Sequence, residues 1–240
     1  MALPEEQREK VLVTTTGVWR TVSKTLGPII DKEKFTTRPT LQCIAVSRVP
    51  GASATDGLQF VATDGYRLGV ANKWALWNAL TEPLLIPGHI LAATSLLWRK
   101  AESVTVYRLN RLAYQFVTEN GTTLTTQVYD GKFPDWHSIV PKEWQGRITV
   151  ERQALERIVM LAAQVTEPLT CTREGAWLRF NGTWEGRQIN GRVQVEGETD
   201  ATLLSRMNVG YLAQVCAAMP GSRIHLNCPC LLYTSDAADE

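Results

Sequence analysis

Side chains able to do covalent or acid–base chemistry are few and scattered in this sequence. His89, His137 and His225 stand far apart, with no spacing that would place two of them on one metal ion. Cys43, Cys171, Cys216 and Cys228 form no Cys-x-x-Cys pair and read as small buried hydrophobes. Asp130 and Asp135 are close enough in sequence for an acid–base pair, but they flank a Gly and a Pro in a connecting stretch, where Asp forms turns. There is no Walker loop, no Gly-x-Ser-x-Gly and no Gly-x-Gly-x-x-Gly. The chemistry therefore reads as that of a binding module, with no catalytic residue, metal or cofactor expected.

The elements that must position these residues follow from periodicity. Helices are predicted at Thr16 to Leu26, Gly88 to Arg99, Glu151 to Ala163 and Asn208 to Met219, each with an apolar stripe such as Val18, Trp19, Val22 and Leu26. Ile86-Pro87 precedes the second helix, and Gly27-Pro28 and Pro220-Gly221 close the first and fourth. Short alternating runs lie between them: 41–47, 58–62, 67–72, 104–108, 112–118, 122–128, 177–180, 187–195, 201–206 and 223–227. Asp56-Gly57, Asp64-Gly65, Asn120-Gly121, Asn181-Gly182 and Glu196-Gly197 read as the turns separating them. The two Asn-Gly-Thr sequons are thus turns rather than glycosylation sites.

The order helix, three strands, helix, three strands then starts again, which predicts two similar α+β domains in tandem. The expected boundary lies near Lys142 to Gly146, giving domains 8–145 and 146–229, the second incomplete. Residues 230–240 resemble an in-frame translation of a sequencing adapter and are set apart from the fold as a probable artefact.

Composition excludes more than it assigns. With 240 residues, 44% hydrophobic and 20% charged, the chain is neither disordered nor collagen-like. No apolar run approaches the ~20 residues of a membrane span, and the charged start is not a secretory signal, so a cytoplasmic protein is expected. Formal charge is +1; without Asp236, Asp239 and Glu240 it is +4, which gives no strong attraction for nucleic acid.

Two segments are distinctive: Val61-Ala-Thr-Asp-Gly-Tyr-Arg-Leu-Gly-Val70 and Tyr129-Asp-Gly-Lys-Phe-Pro-Asp-Trp-His-Ser-Ile-Val-Pro141. They resemble the Ala-Thr-Asp-Gly-His-Arg-Leu and Asp-Gly-x-Phe-Pro-Asp-Tyr motifs of the bacterial DNA polymerase III beta subunit, the sliding clamp. Arg38-Pro-Thr-Leu41, Leu85-Ile-Pro87 and Asn208-x-x-Tyr211-Leu212 add to the match. Tyr66 and Trp136 depart from the family's His and Tyr. The resemblance runs over most of residues 8–229, to the family's central and C-terminal domains.

What the resemblance implies is a non-catalytic processivity factor that encircles duplex DNA without reading its sequence and tethers the polymerase. Its fold would be tandem DNA-clamp domains, each with two helices packed on antiparallel sheets, the second truncated. Copies would associate into a ring, as dimers of a longer chain or trimers of a two-domain form. The DNA polymerase III catalytic subunit and the clamp loader would dock a short peptide in a cleft formed by Leu41, Thr63, Gly65, Tyr66, Arg67, Leu68, Pro134, Ser138 and Ile139. The basic residues available to face DNA are Arg20, Lys24, Lys32, Lys34, Arg38, Arg99, Lys100, Arg152 and Arg157. Two rivals remain: a non-ring peptide-binding adaptor of the same fold, and a small α+β hydrolase using Asp64 and Arg67.

Overall fold

The computed structural model describes residues 8–32, 37–50, 57–165, 168–199 and 203–229. The chain divides into two compact units between Asp135 and Trp136. That division precedes the stretch 142–146 suggested by the sequence. The intervening residues carry only a short 3-10 turn at Trp136–Ser138 before the next strand begins at Trp144.

In the first unit, strand β1 (Glu9–Thr15) runs directly into helix α1 (Thr16–Leu26). Strands β2 (Cys43–Arg48), β3 (Gly57–Thr63), β4 (Leu68–Trp74), β5 (Trp77–Asn78) and β6 (Leu84–Pro87) follow, then helix α2 (Gly88–Leu97) and strands β7 (Ser103–Arg108), β8 (Ala113–Thr118) and β9 (Thr123–Gln127). They form two antiparallel sheets, ordered β5-β1-β7-β8-β9 and β4-β3-β2-β6. Helix α1 buries Thr16, Trp19, Val22 and Leu26, the 3–4 residue stripe seen in the sequence. Trp19 is the centre of this core. Its ring meets Phe60 and Phe116 edge-on at 5.5 Å, and its indole N–H donates to the Thr14 hydroxyl at 2.7 Å.

The second unit repeats the plan. Strand β10 (Trp144–Glu151) leads into helix α3 (Arg152–Ala162), followed by β11 (Pro168–Glu174), β12 (Trp177–Trp184), β13 (Arg187–Thr199), β14 (Leu203–Asn208), helix α4 (Val209–Ala218) and β15 (Arg223–Pro229). One sheet has the order β14-β11-β12-β13-β10-β15. Its two halves match the first unit's β6-β2-β3-β4 and β5-β1-β7, because β13 pairs with β12 through residue 194 and with β10 from residue 195. Among the described residues β8 and β9 have no counterpart here, and β15 is an edge strand.

Several local readings change. Strands β1, β5, β6, β10 and β11 lie outside the expected runs; β1, β6 and β10 run into the following helix without a turn to announce them. Leu41 lies in a 3-10 turn at Pro39–Gln42, and the strand starts at Cys43. Asn181-Gly182 lies inside β12, paired with Asn190 and Ile189, and the chain instead reverses at Glu185-Gly186, both with positive φ. Glu196-Gly197 lies within β13. Gly197 has φ +98°, and a side chain there would meet the Arg147 carbonyl oxygen, so glycine permits the strand to change partner. Lys34 and residues 230–240 lie outside the described residues.

Candidate peptide site and DNA-facing helices

The first distinctive motif forms the turn from β3 to β4. Asp64 organises it: one carboxylate oxygen accepts the amides of Tyr66 (3.0 Å) and Arg67 (2.8 Å). The other accepts the Arg67 guanidinium at 3.0 and 2.9 Å, and that guanidinium also donates to the Pro28 carbonyl at 3.2 Å. Burial alone would raise the Asp64 pKa, but the two amides and the Arg67 charge outweigh it and hold the carboxyl below its usual range. The Thr63 hydroxyl accepts the Gly65 amide, and Gly65 has φ +90°, a conformation that favours glycine. A side chain on Gly65 would lie 3.9 Å from Leu41 and 3.7 Å from Arg38.

Fold and turn thus gather Leu41, Thr63, Gly65, Tyr66, Arg67 and Leu68 in one unit. Leu41 and Thr63 are buried, Arg67 and Leu68 half-buried, and Tyr66 is 84% exposed. Pro134 is an exposed residue of the same unit. Ser138 and Ile139 are exposed residues of the second unit, where Trp136 and His137 stack at 3.7 Å just before them. The sequence reading gave Asp64 no part in the peptide site. The available signal was an Asp two and three residues before amides that a tight turn must satisfy.

This arrangement leaves little acid–base chemistry. Asp64 is committed to the turn and its ion pair, so the hydrolase reading is not favoured. Asp130 accepts Arg111 through both oxygens at 3.0 Å. Burial pushes the Cys43 and Cys216 thiols up to about 11, away from nucleophilic use. Among the described residues no three His, Cys, Asp or Glu are grouped to hold a metal ion. None of the described helices is long and apolar enough to cross a membrane.

Helices α1 and α3 and the segments after α1 and α2 carry the other candidate residues. On α1 the exposed positions are Arg20 and Lys24, one turn apart, and α1, α2 and α4 contain no acidic residue. Arg99 and Lys100 are exposed just past α2, Lys32 and Arg38 are exposed after α1, and Arg157 is exposed on α3. Arg152 stands apart from these. It pairs with Glu156 at 2.9 Å and donates to the Gly221 carbonyl at 2.7 Å, joining α3 to the turn after α4.

No family model matches the chain. Among curated proteins, the beta sliding clamp of Caulobacter vibrioides is 24% identical over 220 residues, covering 88% of this chain and 57% of the relative. That of Synechococcus elongatus is 27% identical over 190 residues, covering 71% and 48%. The crystal structure of the DNA polymerase III subunit beta from Pseudomonas aeruginosa superposes with a TM-score of 0.82 at 18% identity, over 95% of this chain and 62% of that one. The Caulobacter crescentus beta sliding clamp structure gives 0.82 at 22% identity, with 95% and 61% covered. The chain resembles the beta sliding clamp and has its fold. It spans about half to three fifths of the length of these clamps, and within that span the unit of two helices on antiparallel sheets occurs twice.

Proposed function

We propose that this chain is a DNA sliding clamp, a non-catalytic processivity factor that encircles duplex DNA and tethers the replicative DNA polymerase III. The observation carrying this reading is the repeated clamp unit with Arg20 and Lys24 exposed one turn apart on α1, a helix that contains no acidic residue. Such a surface attracts phosphates without reading bases, and a few exposed cations hold a backbone weakly enough to slide along it. Copies of the chain associate to close the ring, and the protein works in the cytoplasm. Polymerase and clamp loader dock a short peptide with apolar anchors, for which Leu41 and Leu68 of the first unit supply contact and Gly65 allows close approach.

Retention on DNA tests the proposal. The protein, incubated with nicked circular plasmid and passed through a sizing column, is expected to co-elute with the circle and to be released when the plasmid is linearised. Charge reversal at Arg20 and Lys24 should reduce retention without changing the unfolding transition. Equal retention on circular and linear DNA, or none on either, would contradict a ring; peptide binding without retention would favour the adaptor.

A further inference from the structure

The outward face of the β11–β12–β13 sheet is unlike its counterpart in the first unit. Leu178, Phe180 and Val193 point into the core, so Trp177, Arg179 and Asn181 on β12 and Asn190, Arg192 and Gln194 on β13 point away from it. Register places Arg179 directly opposite Arg192, and Arg206 of β14 opposite Thr170, which is itself opposite Asn181. Like charges facing each other across a ladder are unfavourable. The sheet tolerates them because Arg179 pairs with Glu174 at 2.7 Å and the Arg192 guanidinium lies over the Trp177 ring at 4.5 Å.

The fold itself does not demand these charges. In the first unit the same outward positions of β3 and β4 hold Gln59, Val61, Thr63, Leu68, Val70 and Asn72, none of them charged. Three arginines against one glutamate, on an exposed face whose other residues are Trp177, amides and hydroxyls, therefore call for an anionic occupant. The three arginines stand on three strands, Arg179 and Arg192 on neighbours about 4.8 Å apart and Arg206 two strands beyond Arg179, so they form a row across the sheet. An extended polyanion crossing the strands meets the three in turn, and the guanidinium–indole stack offers a surface for a base.

We propose that the outward face of β14–β11–β12–β13 binds single-stranded nucleic acid without sequence preference, through Arg179, Arg192 and Arg206 on phosphates and Trp177 with Arg192 against a base. This site belongs to one unit and does not depend on ring closure, so it stands or falls separately from the reading above.

The test is fluorescence anisotropy of a labelled oligothymidylate of about 12 nucleotides titrated with the 240-residue protein. Three phosphate contacts predict a slope of log K against log salt of about −2, falling to about −0.7 in an Arg179→Gln/Arg192→Gln variant. That variant should bind at least about tenfold more weakly, with an unchanged unfolding transition. Arg206→Gln alone should give an intermediate loss, and Arg20→Gln/Lys24→Gln, on a surface that also attracts phosphates, should weaken this probe less than the Arg179/Arg192 variant does. Equal affinity of wild type and the Arg179/Arg192 variant would overturn the proposal. So would loss only in the Arg20/Lys24 variant, tighter binding of a duplex of equal length, or displacement by polyglutamate as effective as by unlabelled strand.

Discussion

Replacing Asp64 tests the turn that organises the candidate peptide site. Asp64→Ala removes the hydrogen bonds donated by the Tyr66 and Arg67 amides and a two-pronged contact with the Arg67 guanidinium, the Arg67 and Asp64 side chains being only 13% and 15% exposed. Hydrogen bonds to a charged partner contribute about 1.5–3 kcal/mol each when buried, but the Tyr66 amide lies on an exposed turn and regains water. A net loss of about 2–3 kcal/mol is therefore expected, with Asp64→Asn losing roughly 1–2 because its carbonyl still accepts the amides. The effect also carries a pH signature. The folded carboxyl binds its proton less readily than the unfolded one, so the stabilisation is complete above the unfolded value of about 4 and fades as pH falls through the folded one. The measurement is urea unfolding followed by circular dichroism at neutral pH and in steps through the acid range, comparing wild type with both variants. The wild-type advantage should shrink on acidification. A difference below about 0.5 kcal/mol at neutral pH, within the range of an ordinary surface substitution, or one that does not change with pH, would refute the assignment of Asp64 as the turn's anchor.

Two further outcomes follow from particular residues. A Gln-Leu-x-Leu-Phe peptide, with two apolar anchors contributing ~1.5–3 kcal/mol each before ordering costs, should bind at roughly micromolar Kd. By calorimetry Leu68→Arg should abolish the binding; equal affinity for wild type and variant would refute the assigned wall. Gly197→Ala forces a side chain into a positive φ and against the Arg147 carbonyl, so urea unfolding should show a loss of about 2–4 kcal/mol in the second unit, and a neutral result would exclude strain at this strand switch.

Much of the architecture is legible in local pattern. The stripe of Trp19, Val22 and Leu26 specifies helix α1, because a 3–4 residue spacing leaves one apolar side to bury whatever covers it. The Asp64-Gly65 turn is legible for the same local reason: Asp satisfies nearby amides and Gly accepts positive φ. Asn181-Gly182 carries an equally good turn signal and is nevertheless strand, since pairing with β11 and β13 supplies bonds on both sides that a local turn would forfeit.

The candidate surfaces divide along the same line. Their residues could be named one by one from the motifs and the charges. Only the tertiary structure decided that Arg67 reaches the Pro28 carbonyl, that Arg152 is a tie between α3 and the turn after α4, and that Arg179, Arg192 and Arg206 share one exposed face. Those outcomes depend on strand register and on contacts between residues far apart in the chain, and no periodicity within a segment records which distant segment will lie beside it.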